Sequence, residues 1–328
     1  MSVATAPSLA SVADEIDAAL AALDLPAEPA GLYAPVRYVL AGGGKRIRPV
    51  LVLLAAEAFG GPAARARALP AALGVEVFHN FTLVHDDIMD HAATRRGRPT
   101  VHERWDEPTA ILAGDLMMGL AARLITGAEG PAPDALSAAH YRTVARLCEG
   151  QTLDMAFERR TDVTVDEYLA MIDRKTGALL EHALEVGALV GGADAEAVAA
   201  LREAGLALGR AFQIQDDLLD LMADPETWGK PVGGDLVEGK RTFLVLTARE
   251  RAEPDDADWL ADVLGGGVHP DRVPAVRERL RALGVLDTAA RAVARHTDAG
   301  RAALDALPAG PAADALRQLA LGLASRTL

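Results

Sequence analysis

Residues 78–90 read FHNFTLVHDDIMD, an apolar stretch that ends in three carboxylates, Asp86, Asp87 and Asp90. On a helix, positions i and i+4 lie about 5–6 Å apart on one face, so Asp86 and Asp90 project together. A solvated helix end would tolerate such a like-charged pair at a cost of roughly a few tenths of a kcal/mol. The pattern returns, however, in QDDLLD at 215–220, where Asp216 and Asp220 again share a face at the end of a long apolar segment. Two copies in segments that should be buried argue for a common task. Clustered oxygen ligands with no histidine or thiolate among them suit a hard cation, and a site that shares its coordination with phosphate suits Mg²⁺.

Around these motifs the chain reads as helix almost throughout. Alanine, leucine, arginine and glutamate dominate, and apolar residues recur at three and four rather than alternating. The periodicity predicts helices near 35–58, 66–90, 106–126, 134–158, 165–190, 195–223 and 240–252, with several shorter ones to the end, hence an all-α chain. Thr164 and Glu167 have capping-box spacing, Gly191-Gly192 can end one helix, and Asp194 can cap the next. No linker composition interrupts the 328 residues, half of which are hydrophobic, so a single domain over 1–328 is expected, with 1–30 a loosely ordered segment or helix.

Forty-seven acidic against 33 basic residues give a net charge of −14, which argues against a nucleic-acid or anionic-membrane surface. One cysteine, Cys148, excludes an internal disulfide framework, fits a reducing compartment and reads as structural. The first basic residue is Arg37, so no signal or transit peptide is expected. No uninterrupted apolar run reaches the roughly 18 residues of a membrane span. The expected location is the cytoplasm, with no transmembrane segment.

In so acidic a chain, basic residues beside the acidic motifs need an explanation. AGGGKRIRP at 41–49 brings glycines for close backbone approach, then Lys45, Arg46 and Arg48 at the start of a helix, where free N–H groups favour an anion. It is not a Walker A loop, because Arg46 follows Lys45 where that motif needs Ser or Thr. Arg95 and Arg96 follow the first acidic motif, and Lys230 and Lys240 flank a Gly-Gly-Asp after the second. A magnesium–diphosphate complex accounts for both charges: carboxylates take the metal, and arginine forks and lysines take the remaining oxygens.

GGGKRIRP, HDDIMD with RRGRPT, DRKTGALL, FQIQDDLLD and GKPVGGDLVEGKRT, in this order, resemble the motifs of the trans-isoprenyl diphosphate synthases, or polyprenyl synthetases. The resemblance covers roughly residues 35–250. It implies a helical bundle around a cavity in which two Asp-rich motifs hold three Mg²⁺ ions on an allylic diphosphate. Asp86, Asp90 and Asp216 would be direct ligands, and Asp87 and Asp220 ligands or supports of ligands. Isopentenyl diphosphate would meet Lys45, Arg48, His79 and Arg96; the allylic diphosphate would meet Arg95, Lys175, Lys230 and Lys240. Thr176 and Gln213 would turn oxygen dipoles toward the allylic cation. The implied reaction is ionisation, condensation and elimination, with the departing diphosphate taking the proton. A homodimer is also implied.

In such enzymes bulky residues before the first acidic motif form the floor of the elongation pocket. Here Phe81 stands five residues upstream of Asp86, Thr82 four and Phe78 eight. The aromatic at minus five with a small residue at minus four resembles archaeal-type geranylgeranyl diphosphate synthases. On an ideal helix, though, Phe81 points about 140° from Asp86, whereas Thr82 lies nearly beneath it. Phe78 could shorten the pocket and give a farnesyl product. Two other classes compete: a class I terpene cyclase, which would lack GGGKRIRP, and a non-catalytic helical subunit, which would have lost part of the charged set.

Overall fold

The computed structural model describes residues 9–130, 133–222 and 232–324. By internal contacts the chain divides into two compact units, Met1–Arg142 with His182–Arg202 and Ala306–Leu316, and Thr143–Glu181 with Glu203–Asp305 and Arg317–Leu328. The only strands among the described residues form a two-residue-per-strand hairpin, Thr94–Arg95 (β1) with Arg98–Pro99 (β2).

The first unit contains helices α1 (Leu9–Ala21), α2 (Ala30–Leu40), α3 (Ile47–Met89), α4 (Val101–Arg104) and α5 (Glu107–Thr126). It also holds the start of α6 (Pro133–Phe157). The α3–α5 packing is close because small residues line it: a Cβ on Gly74 would sit 2.7 Å from Ile125, and one on Gly114 would collide with His85. Val12, Ile16 and Leu20 of α1 are buried in the same unit. Asp106 caps α5 by accepting the Thr109 N–H at 2.7 Å.

The expected helix over 35–58 is broken instead at 41–46. Gly43, Gly44 and Arg46 have φ of 71°, 143° and 48°, which no right-handed helix accommodates. Conversely, the expected gap before residue 66 is only a kink: Gly61 (φ 68°) and Pro62 interrupt α3, and the helix resumes on the far side.

The second unit contains the rest of α6, then α7 (Val165–Ile172), a π-helical turn (Asp173–Gly177) and the start of α8 (Ala178–Gly191). The residues Glu203–Met222 of α9 (Ala195–Met222) follow, with α10 (Gly234–Val237) and α11 (Phe243–Arg251) after them. The capping box forms as expected: Thr164 Oγ1 accepts the Glu167 N–H, and Glu167 accepts the Thr164 N–H. Gly192 (φ 81°) ends α8, and Asp194 accepts the Ala197 N–H at 2.8 Å to open α9. The core of this unit joins Phe157, Tyr168, Ile172, Ile214, Leu218 and Phe243. Four later helices, Ala257–Leu264, Val273–Ala282, Val285–Ala303 and Pro311–Ala324, continue the chain, the middle two adding Val276, Leu280, Val285 and Ala289 to that core. Cys148, expected to be structural, is an exposed thiol within α6.

Candidate active site

In the first unit α3 delivers the acidic motif. Asp86 is half-buried and Asp90 is exposed at the helix end, whereas Asp87 is buried. Asp87 Oδ1 accepts the Arg95 Nε–H at 2.7 Å. Burial raises the Asp87 carboxyl, and the Arg95 charge opposes that rise. This contact follows from the hairpin, whose turn residues Arg96 and Gly97 have φ of 52° and 71°, the two positive values that a tight two-residue turn requires. The turn aims Arg95 at Asp87 and carries the Arg96 guanidinium to the Gly43 carbonyl. Tyr38 fixes the hairpin from below, donating its hydroxyl to Pro99 O at 2.7 Å while Arg98 lies 3.9 Å over its ring.

His79 lies on the same helix. Its Nε2 is 3.1 Å from Arg48 Nη1. Burial first, then the charges of Arg48, Arg96, Arg95 and Arg46, hold the imidazole neutral, well below its usual range. A neutral ring facing an arginine must accept there, which leaves the proton on Nδ1, a buried donor without a partner. A cavity of about 50 Å³ under the hairpin, bordered by Asn80, Asp87, Arg95, Arg96 and Thr100, holds only a water or two.

The three cations of the glycine loop separate in the fold. Lys45 is exposed and Arg48 faces His79, but Arg46 is buried. It pairs with Asp17 at 2.7 Å and Glu76 at 2.6 Å and donates to Leu40 O. Arg46 is therefore a structural cation and not part of an anion site, a correction to the grouping of all three. The one sequence signal was Glu76, a lone carboxylate in an apolar run.

The aromatic residues before the motif form a ladder. Phe81 stacks on Phe78 at 5.6 Å and meets His85 edge-on at 4.8 Å. Phe78 has no exposed surface and also contacts His140, whereas Phe81 is only half-buried. Thr82 returns its hydroxyl to the His79 carbonyl at 2.8 Å.

In the second unit α9 carries Asp216, Asp217 and Asp220. Asp216 and Asp220 are half-buried. Asp220 Oδ2 accepts the Asp235 N–H at 3.1 Å, and its carbonyl accepts Gly233 N–H at 2.7 Å. Asp235 thereby joins the acidic set, with Lys240 Nζ at 3.5 Å from its Oδ1. Burial, Asp235 and Asp216 push the Asp220 carboxyl up to about 6. Burial likewise raises Asp235. Crowded carboxylates held this way are relieved by a cation. Among the described residues no three His, Cys, Asp or Glu converge as a ready-made metal site. The all-oxygen donor set fits Mg²⁺ only with water or phosphate oxygens completing the shell.

The π-helical turn displays Lys175 and Thr176. Asp173 anchors it through two bonds to Arg210 at 2.6 and 2.5 Å, and Lys175 pairs with Asp154. Thr176 donates to Gln213 Oε1 at 2.9 Å, and Gln213 donates to Asp217 Oδ1 at 3.2 Å. Asp217, which the sequence pattern left without a role, is buried, and burial with the charge of Asp235 raises its carboxyl to about 7 against three hydrogen-bond donors. Lys230 lies outside the described residues.

A family model described as polyprenyl synthetase matches residues 29–280. The chain is 40% identical over 314 residues to a geranylgeranyl diphosphate synthase of Methanosarcina mazei, covering 95% of this chain and 94% of that protein. It is 38% identical to a geranylfarnesyl diphosphate synthase of Natronomonas pharaonis, over 92% of this chain and 91% of that one. A crystal structure of a geranylgeranyl pyrophosphate synthase superposes with a TM-score of 0.91 at 38% identity, covering 98% of this chain and all of that one.

Proposed function

The chain belongs to the polyprenyl synthetase family, and from that premise we propose that it is a short-chain prenyltransferase condensing isopentenyl diphosphate with allylic diphosphates to give geranylgeranyl diphosphate. The observation that carries this reading is the placing of Arg48 at 3.1 Å from His79 and of the hairpin's Arg95 at 2.7 Å from Asp87, on the helix that delivers Asp86 and Asp90. A chain of charge −14 concentrates cations there to meet a polyanion.

Arg48, His79 and Arg96, with exposed Lys45, bind the diphosphate of isopentenyl diphosphate. Arg95, Lys175, Lys240 and Lys230 are the contacts for the allylic diphosphate. Asp86, Asp90, Asp216 and Asp220 hold Mg²⁺, and Asp87 supports them through Arg95. Bound Mg²⁺, three ions by family resemblance, supplies positive charge to the leaving diphosphate. Thr176 and Gln213 offer oxygen to the allylic cation, which needs surroundings free of the water that would quench it. No protein base is assigned, because the departing diphosphate can take the proton.

Phe81 keeps surface that a growing chain can meet and Phe78 keeps none, which favours Phe81 as the floor and a twenty-carbon product. Thr82 beside it is small enough to leave room. We also infer a cytoplasmic homodimer. Two helices, α3 and α5, are long and apolar enough to cross a membrane by composition, and α5 buries less of its apolar window, 39% against 50%. Its exposed Ile111 and Leu112 suit a second copy of the chain.

The test is an assay with purified protein, Mg²⁺, labelled isopentenyl diphosphate and, separately, dimethylallyl, geranyl and farnesyl diphosphates, with chain length read after dephosphorylation. A discrete twenty-carbon product is expected. A fifteen-carbon product moves the floor to Phe78, and a longer one removes Phe81 from that role. Consumption of an allylic diphosphate without isopentenyl incorporation replaces the synthase reading with a cyclase.

A further inference from the structure

Four residues of α9, Gly205, Gly209, Gln213 and Asp217, recur at every fourth position and form one stripe. The two glycines let α9 touch the backbone of its neighbour. A Cβ on Gly205 would lie 2.4 Å from the Glu181 Cα, and one on Gly209 would lie 2.5 Å from the Gly177 Cα. That approach sets Gln213 beside Thr176 and Asp217 beside Tyr168. Asp217 Oδ2 accepts the Tyr168 hydroxyl at 2.7 Å and the Phe243 N–H at 2.9 Å, and Oδ1 accepts from Gln213 Nε2 at 3.2 Å.

The polarity of this chain is set by Asp217 in its ionised form. A carboxylate accepting from donors on both oxygens takes the NH₂ end of the Gln213 amide and leaves Oε1 toward Thr176. Two oxygens 2.9 Å apart bond only if one donates, and the amide oxygen cannot, so the Thr176 hydroxyl spends its single hydrogen on Gln213. Its lone pairs are all it can offer elsewhere.

We propose that Asp217 is a positioning residue for ionisation of the allylic substrate. By fixing the Gln213 amide, it makes Thr176 an oxygen-only neighbour of the developing cation. An O–H hydrogen turned toward that cation would oppose it, and lone pairs stabilise it. Asp217 itself is buried and acts only through Gln213. The inference rests on the reading that Thr176 faces the allylic cation. The competing role is structural, since Asp217 also ties Tyr168 to the first N–H of α11.

Three variants separate the two roles. Asp217→Asn can present an NH₂ to Gln213, so the amide turns over and gives Thr176 an N–H, which reverses the hydroxyl. Gln213→Glu with Asp217→Asn restores an acceptor facing both neighbours at unchanged net charge. Tyr168→Phe removes only the structural donor.

The expected result is a kcat loss of about ten- to a hundredfold in Asp217→Asn with little change in the KM for isopentenyl diphosphate, and about tenfold recovery in the double variant. Tyr168→Phe should keep kcat within about threefold of the parent while lowering the melting temperature. A double variant no faster than Asp217→Asn, or Tyr168→Phe losing kcat in parallel, would overturn the proposal.

With Gln213→Glu alone completing the double-mutant cycle, melting temperatures are read as well, and the two substitutions should compensate each other. Additive losses there would overturn the relay even without an assay. An unsubstituted protein that makes no prenyl diphosphate would sink the proposed function, while a compensating thermal cycle would still establish the hydrogen-bond relay.

Discussion

Single residues in this chain divide by burial more than by charge. Asp86 is half-buried at the end of α3, whereas its neighbour Asp87 is buried. Asp86→Ala is expected to lower turnover by orders of magnitude with an unchanged helical circular-dichroism spectrum; near-normal turnover would remove it as a ligand. Arg46 behaves in the opposite way. Its side chain and that of Glu76 are 2% and 3% exposed, so Arg46→Met leaves a buried carboxylate unpaired. The expected loss is about 3–5 kcal/mol in urea unfolding, whereas Lys45→Met, at an exposed position, should change stability by less than about 0.5 kcal/mol. The sequence presents Lys45, Arg46 and Arg48 as one basic cluster. Which of them reaches inward depends on Asp17 of α1 and on Glu76, thirty residues further along the chain on α3.

At the scale of elements, the interruption matters more than the helix. The pattern over 165–190 reads as one continuous helix, because a π turn of five residues leaves the apolar periodicity nearly intact. The turn nevertheless holds Lys175 and Thr176, and it is stabilised by contacts no local pattern reports. A Cβ on Gly150 would lie 2.6 Å from Lys175 N, and Gly209 presses on Gly177. Gly209→Ala should destabilise the fold by about 1–3 kcal/mol and reduce kcat. Gly322→Ala, in the helix Pro311–Ala324 with open space at its Cβ, should instead stabilise by about 0.5–1 kcal/mol. Thermal melts and steady-state rates on the pair check both. Thr164 and Glu167 were legible as a cap because capping is decided within four residues of chain.

Across the whole molecule, buried titratable groups set two opposing pH dependences. His140 and His182 pack together in the first unit, and burial holds them at about 4 and about 3. An unfolded histidine titrates near 6.5, so between these values the unfolded chain binds more protons, and stability falls as pH drops below about 6.5. His182→Gln should flatten that part of the urea-midpoint profile relative to the parent. The acidic set of the second unit runs the other way. Asp220, raised to about 6, favours the protonated folded state, so its contribution is present at low pH and is lost as pH rises through about 6. Mg²⁺ with inorganic diphosphate should therefore raise the melting temperature more at pH 8 than at pH 5.5, where protonated Asp220 resists a cation. Equal shifts at the two values would argue against Asp220 as a ligand.

The helical class, the caps, the two i, i+4 carboxylate pairs and the cationic segments beside them were legible in the order of residues alone. These are properties of spacing along one helix or of a few adjacent residues, and a helix converts spacing directly into a shared face. The rest came from tertiary packing: Arg46 is buried against Glu76, Arg95 turns to Asp87, Asp235 crowds Asp220, and buried Asp217 gathers Tyr168, Phe243 and Gln213. The first three join residues more than a helical turn apart in the chain, and the last depends on Tyr168 and Phe243, which reach Asp217 from outside α9, so each geometry depends on how closely two backbones approach, which glycines and hairpin turns permit and no local periodicity encodes.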